Sequence, residues 1–266
     1  FRSMRQVFLQ SPWIHPVESA PLREIIEKHG RRVAVQTGTS LPHGEGHSYV
    51  GLLEKGLGAF TFEDQLGKRH IFAIIIPGRV FGDLDGLTRA HLNLKGEVIR
   101  ASSVILLERD RWEMALSESP ELLMLYAKNA MQKQESQMEG MIANFTMDLS
   151  SRVRALLRAV IEAYYPVKEQ DGNPLPIKLS VTEISETVAA NRSSVSLLIS
   201  EWAQEDLVRR DGRRIIVHGK LLSQVYDWID RVPPDDLSIP DTIFFRGNKF
   251  FIGLFPKSHN GSKEVQ

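Results

Sequence analysis

The sequence predicts an α+β chain: a jelly-roll-like β-barrel, then one long helix, a winged helix-turn-helix and a C-terminal β-hairpin. Three observations predict it. Between Arg31 and Glu108, short apolar runs alternate with glycine breaks. From about Pro120 to Asn144 a helical pattern runs with no internal proline. After Ser180, two short amphipathic helices are followed by a strand, an Asp-Gly turn and a second strand. The divisions fall at 18–118, 119–147, 148–230 and 231–266.

In the first division the expected strands are Arg32–Gln36, Ser48–Glu54, Leu57–Phe62, His70–Ile76 and Val98–Leu107. Glycine-bearing turns separate them, including Lys55-Gly56, the hairpin turn around Asp64–Gly67, and Pro77-Gly78. Regularly spaced short strands with such punctuation read as a sandwich or barrel. A short helical piece is expected after Phe81-Gly82-Asp83-Leu84.

The long helix carries Met124, Ala127, Met131, Gln134, Met138, Met141 and Phe145 at alternating spacings of three and four. That is the a/d seam of a helix pair, and methionine makes it adaptable. Either this seam joins two copies of the chain or the helix packs on its own domain. A polar opposite face favours the self-dimer.

Asp148-Leu149-Ser150-Ser151-Arg152-Val153 opens the next helix, and Asp171–Pro174 reads as a turn. Ser180 and Glu183 form a capping box, with Ile184 and Val188 facing inward. Ala189-Ala190-Asn191 breaks the chain, and a second helix runs from Arg192 to about Glu205. Its buried face is Val195, Leu198, Ile199 and Trp202. Its outer face offers Arg192, Ser193, Ser196 and Ser200, with Leu197 at the boundary. Small polar residues there allow close entry into a major groove. Leu197 either touches a thymine methyl or packs against the preceding helix. Arg209, Arg210, Arg213 and Arg214 flank the tip of the wing. They are either a solvated turn or a phosphate grip, and arginine forks suit phosphate oxygens.

Lys+Arg and Asp+Glu each number 33, so DNA binding must rest on local patches rather than a global field. Residues 149–220 carry 11 basic and 9 acidic side chains, a weak basic footprint that needs a dimer and a clustered wing. The absence of cysteine excludes disulfides, thiolate metal sites and thiol catalysis. No apolar run is long enough for a membrane span, and Phe1-Arg2-Ser3-Met4 lacks a signal-peptide layout. A cytoplasmic protein is expected.

These residues carry a likeness. Gly44-Glu45, Tyr49–Gly56, Pro77-Gly78 through Phe81-Gly82-Asp83-Leu84, and Val98–Ala101 resemble the barrel of the Crp/Fnr superfamily of bacterial transcription regulators. Residues 148–153, D-L-S-S-R-V, resemble that family's D-V-T-G-R-I hinge, and Lys178–Gly219 its winged helix-turn-helix. The resemblance spans roughly residues 20–222. It implies a cyclic-nucleotide-binding-like barrel, a homodimer, palindromic operator DNA as partner and RNA polymerase as a further candidate partner. It also implies an effector pocket between barrel and long helix. In this chain Gly82, Asp83, Leu84, Lys95, Lys133, Gln137 and Met138 would form it, unless packed side chains fill the space. Asp83 replaces the ribose-contacting glutamate of the cyclic-AMP-binding members, and Lys95-Gly96 stands where they have an Arg-Ser pair. A lysine does not reproduce an arginine fork, so cyclic AMP is not the expected effector. No cofactor is assigned, and the effector is an unidentified small molecule. Leu197 and Ser193 also depart from the family's base-reading arginine and acid, so a different operator is expected.

Two other readings stand beside this one. His43, Glu45 and His47 invite a cupin-like metal-dependent enzyme, although their spacing differs from the cupin pattern. His29, His43, His47, His70 and His91 are the candidates for a haem ligand, each read first as a loop histidine. A dimeric scaffold without DNA binding is the other. No catalytic or metal-binding residue is assigned, and a non-enzyme is expected. Beyond the family likeness, Thr242–Phe255 reads as a phenylalanine-rich hairpin turning at Gly247-Asn248. It either packs on the DNA-binding domain or forms an interaction surface.

Overall fold

A computed structural model describes residues 6–41, 48–84, 94–168, 170–212, 214–223 and 225. Two compact units divide the chain at residues 229 and 230, and the second lies outside the described residues. The C-terminal hairpin, the helical piece after Leu84, Arg213, His43, Glu45, His47 and His91 also lie outside them.

The first unit begins with a segment for which the sequence pattern offers no element. Trp13 and Ile14 are buried, and Trp13 and His15 exchange backbone hydrogen bonds with Ile74. Helix α1 (Ala20–His29) follows, with Leu22 and Ile26 inward. The antiparallel sheet comprises β1 (Arg31–Val35), β2 (Tyr49–Glu63), β3 (Arg69–Ile75), β4 (Val80–Phe81) and β5 (Lys95–Glu108). Its order is β1-β5-β2-β3, with β4 also paired to β2. The expected strands Ser48–Glu54 and Leu57–Phe62 are one strand, β2, and not two. Lys55-Gly56 is a bulge rather than a turn: the β2–β5 register shifts there, and Gly56 has φ 97°. A Cβ at Gly56 would lie 2.1 Å from Ser102 Oγ. Bulges bend and twist a long strand without ending it, which is how β2 and β5 curve around the interior cluster of Leu53, Phe60, Ile75, Phe81 and Val104.

Helix α2 (Arg109–Glu118) has no counterpart among the expected elements. It buries Trp112 and Leu116 and stops before Pro120. Ser119 then caps α3 (Pro120–Thr146), accepting a hydrogen bond from the Leu122 amide. Asp148 caps α4 (Leu149–Glu162) through the Ser151 amide, as the hinge motif predicts. The α3 helix buries Tyr126, Asn129, Lys133, Ser136, Gln137, Glu139, Gly140 and Ala143 against its own β-domain.

The Asp171–Pro174 turn is corrected as well. Gly172–Pro174 forms strand β6, paired with β8 in a three-stranded sheet. The chain reversal comes earlier, where the Asn173 side chain closes on the Lys168 amide and carbonyl at 2.7 and 2.8 Å. Pro174 is tolerated because β6 is an edge strand. The remaining elements are α5 (Val181–Thr187), α6 (Arg192–Gln204), β7 (Val208–Asp211), β8 (Arg214–His218) and α7 (Gly219–Leu222). One apolar cluster runs from Trp13, Leu57 and Ile74 through Ala143, Val153 and Leu156 to Val195 and Trp202, so β-domain and helical domain share a core. Among the described residues no helix is long and apolar enough to cross a membrane.

Gly140 is where the first segment meets α3. A Cβ there would lie 2.6 Å from Trp13 Cδ1. Gly140→Val is therefore expected to push the Trp13 indole out of its site and destabilise by about 1–3 kcal/mol. Urea unfolding followed by tryptophan fluorescence would measure both effects.

Candidate nucleic-acid interface and buried polar cluster

The helix-turn-helix is built locally. The Ser180 hydroxyl accepts from the Glu183 amide, and the Glu183 carboxylate accepts from the Ser180 amide, so both ends of the capping box are closed. Ile184 and Val188 point inward. The turn to α6 passes through Ala189 at φ 50°, a left-handed conformation that makes it tight. Asn191 occupies the N-cap of α6, but its side chain makes no capping hydrogen bond.

Val195 and Trp202 are buried and Leu198 and Ile199 partly buried, the face expected from the spacing. Arg192, Ser193, Ser196, Leu197 and Ser200 are all exposed. Leu197, 62% exposed, stands clear of the preceding helix, which removes the packing alternative. The Ser200 hydroxyl donates to the Ser196 carbonyl at 2.9 Å, so it is turned along the helix rather than outward. Ser194 shares the exposed first turn and is a surface residue that the sequence pattern does not single out. In the wing, β7 and β8 pair antiparallel around Gly212 at φ 57°. Arg209, Arg210 and Arg214 are exposed on it.

On α3 the two faces have exchanged expectations. The polar face is the buried one. All seven seam residues are exposed, and Phe145 is 84% so. The helix therefore packs on its own domain and leaves its methionine stripe open, so one property did not exclude the other.

The buried polar face converges on Lys133, which is fully buried. Its Nζ lies 2.7 Å from Asp83 Oδ2 and 2.9 Å from Glu18 Oε2. The Tyr126 hydroxyl donates to the Asp83 carbonyl at 3.1 Å, and Asn129 Nδ2 to the Val17 carbonyl at 3.3 Å. One turn further, Gln137 Nε2 lies 3.1 Å from His15 Nε2. Arg79 Nε donates to the His15 carbonyl at 2.9 Å. Burial would lower the Lys133 pKa, but the Asp83 and Glu18 carboxylates outweigh it and hold the pKa above its usual value. Burial raises the Glu18 carboxyl. Burial first, then Lys133 and Arg79, depresses His15 to about 3, so its ring is neutral and accepts from Gln137.

Of the effector-pocket residues, the structure brings together Asp83, Lys133 and Gln137 and joins them to Glu18 and His15, which no motif marks. Gly82 and Leu84 flank Asp83, and the Gly82 carbonyl accepts from Arg109 Nη2 at 2.8 Å. Met138 faces outward on the stripe. Lys95 is not part of the cluster, a correction to the expected set. Lys95 pairs with Thr61, ten residues along β2 from the Gly51 that pairs with Phe81. Its Nζ lies 2.9 Å from Glu63 on the surface.

Among the described residues, no group of three or more His, Asp or Glu side chains is placed to hold a metal ion. His29 ends α1, and His70 lies 2.9 Å from Asp64 and stacks on Phe62.

A bent β-domain with a buried charged cluster, a long helix with an open apolar stripe and a winged helix-turn-helix together define the architecture. No protein-family model and no curated protein sequence matches the chain. Its structure is similar to FixK2 of Bradyrhizobium japonicum, with TM-score 0.63 and 19% identity over 74% of this chain and 97% of that one. It is similar to CLP, a c-di-GMP-responsive global regulator of Xanthomonas campestris (TM-score 0.60, 13% identity, 76% and 100% covered). A CRP/FNR-family transcriptional regulator of Thermus thermophilus gives TM-score 0.57 and 20% identity over 73% and 97%. The chain has the fold of the Crp/Fnr-type transcription regulators.

Two measurements follow from the cluster. Lys133→Met leaves two buried carboxylates facing each other, a change expected to cost about 3–5 kcal/mol. The deficit, read from urea midpoints, should shrink as pH falls and Glu18 takes up a proton. His15 sets a second pH dependence. The unfolded chain protonates it near 6.5 and the folded chain only near 3. Acidification through that window should therefore remove about 1.4 kcal/mol of stability per pH unit from this group. In His15→Gln that contribution to the slope should vanish.

Proposed function

We propose that the chain is a homodimeric transcription regulator that reads a palindromic operator, with its N-terminal β-domain sensing a small-molecule effector. The observation that carries this reading is the outer face of α6: an arginine and a run of serines, all exposed, on the second helix of a capped helix-turn-helix. An isolated surface helix more often carries long charged side chains in i,i+4 pairs. Arg192 is assigned to a base or phosphate, Leu197 to a thymine methyl, and Arg209, Arg210, Arg213 and Arg214 to backbone phosphates. The stripe from Met124 to Phe145 supports dimerisation. It is apolar except for Gln134, runs along the helix and is uncovered in one copy, and two copies of α3 would bury it. A dimer places two reading helices on successive major grooves, about 34 Å apart.

For the effector, the cluster of Asp83, Lys133 and Gln137 is the candidate locus. A ligand that binds one packing of β-domain against α3 better than another would shift the pair of reading helices. The departure of Asp83 from the cyclic-AMP pattern directs the search to other anionic or polar molecules. RNA polymerase is the partner through which such a regulator would act.

The test is selection from a random palindromic DNA library at physiological salt, followed by affinity measurements on the recovered site. One inverted repeat should emerge. Arg192→Ala should weaken binding to it by about 1–3 kcal/mol and relax one base position. Arg214→Ala should weaken all sequences alike and flatten the salt dependence. Recovery of no sequence, with no salt-dependent binding to any DNA, would overturn the reading.

A further inference from the structure

The first helix of the reading head is gripped by the β-domain through side chains outside the winged helix-turn-helix. Arg100, on β5, makes a two-pronged contact with Glu183: Nη1 to Oε1 at 2.6 Å and Nη2 to Oε2 at 2.8 Å. Arg69, on β3, reaches Glu186 Oε2 at 2.6 Å with one guanidinium nitrogen. Its Nε donates to Glu97 Oε1 at 2.9 Å, which fixes the arginine from the sheet side. Lys68 Nζ donates to the Ala190 carbonyl in the turn before α6, at 3.3 Å. From the other side, Asn144 at the end of α3 donates to the Thr187 carbonyl, and Arg152 of α4 to the Val188 carbonyl, at 3.1 and 2.7 Å.

Helix α5 is thus held by both arginines on one side and by α3 and α4 on the other. The two glutamates are well shielded, with side chains 11% and 14% exposed. Their arginine partners are more open, Arg100 at 42% and Arg69 at 32%, so water and salt screen the pairs in part. Burial works against the Glu183 carboxylate, but Arg100 and the Ser180 amide outweigh it and hold its pKa down. Glu183 therefore serves twice: it closes the cap that starts α5, and it anchors α5 to the sheet.

We infer that Arg69 and Arg100 are positioning residues, holding α5 on the sheet so that β-domain and reading head form one body and the operator's half-site spacing is set by the β-domain. The first half of this inference concerns the fold alone, and the second rests on the DNA-reading assignment made above. A reading head free to swing would tolerate several spacings between half-sites, whereas one locked to a dimer would accept a single spacing.

The chain has no cysteine, so labels can be placed uniquely. Glu113→Cys on α2 and Gln204→Cys at the end of α6 are both exposed sites. Spin-labelled chain, diluted with excess unlabelled protein so that only distances within a chain are read, should give one narrow distance distribution. Arg69→Gln/Arg100→Gln should broaden it while the far-ultraviolet circular dichroism stays unchanged. Glu186→Gln, a milder change that keeps the capping box, should broaden it partly. On the selected operator, with one or two base pairs added between half-sites, the natural chain should discriminate strongly and the double variant should lose that discrimination. A broad distribution in the natural chain, or a narrow one in the double variant, would overturn the clamp. Broadened distances with intact spacing discrimination would overturn its role in setting the spacing. If the natural chain recovers no operator and shows no salt-dependent binding to any DNA, the DNA-reading assignment falls and the distance measurement still decides the clamp.

Discussion

The buried ammonium of Lys133, held between Asp83 and Glu18, decides how the long helix sits. A charge taken out of water is tolerable only when its partners are in place. Glu18 comes from the segment before α1, Asp83 from the residues after β4, and Lys133 from the middle of α3. The three meet only if the polar face of α3 lies against the β-domain. Asn129, Ser136 and Gln137 then find partners on the same side: Ser136 Oγ lies 2.7 and 2.8 Å from the Ser11 and Ile14 carbonyls. With that face committed inward, the methionine stripe has nowhere to go but out. The open apolar surface follows from a polar core rather than from any shortage of apolar partners.

The same helix carries the consequence to the other end of the chain. Gly140 admits the Trp13 indole, and Ala143 joins the apolar cluster that continues into Val153, Leu156 and Trp202. The α3–α4 junction is therefore packed on both sides, and the cap at Asp148 fixes the angle at which α4 leaves. A change of packing near Lys133 would be felt at the helix-turn-helix through this continuous core. Packed interiors shift between discrete arrangements more readily than they deform smoothly.

Elements governed by local rules were legible in the sequence. The capping box at Ser180 and Glu183, the inward face of α6 and the wing around Asp211-Gly212 all appear where their residues predict them. The longer sheet strands were legible except where a glycine had two meanings, while the two- and three-residue strands β4 and β6 were too short to leave a pattern. Gly56 supplies a positive φ to a bulge inside β2, and the same residue type would serve a turn equally well. The inversion of α3 was not legible, because a polar helical face normally means water. Only the distant carboxylates of Glu18 and Asp83 turn Lys133 into a core residue, and no local pattern announces a partner fifty or more residues away. His15 was missed for the same reason. Lys95 was misplaced because counting back from Arg100 assigns a position along the chain, whereas pairing with Thr61 sets its position in space.

The charge of the helical segment also reads differently once the contacts are known. By sequence, residues 149–220 carry only a slight basic surplus, 11 against 9. Two of the nine acids, Glu183 and Glu186, are paired with Arg100 and Arg69, which lie outside that segment. A third, Glu162, is paired with Arg158 on the same helix. The first helix of a helix-turn-helix crosses the phosphate backbone, where unpaired glutamates would repel DNA. Arginines from the sheet pair with these two glutamates, while Glu201, Glu205, Asp206 and Asp211 stay exposed alongside Arg192 and the wing arginines. In a chain of zero net charge, the acids of α5 are thus matched by basic residues of the β-domain rather than by those of their own segment.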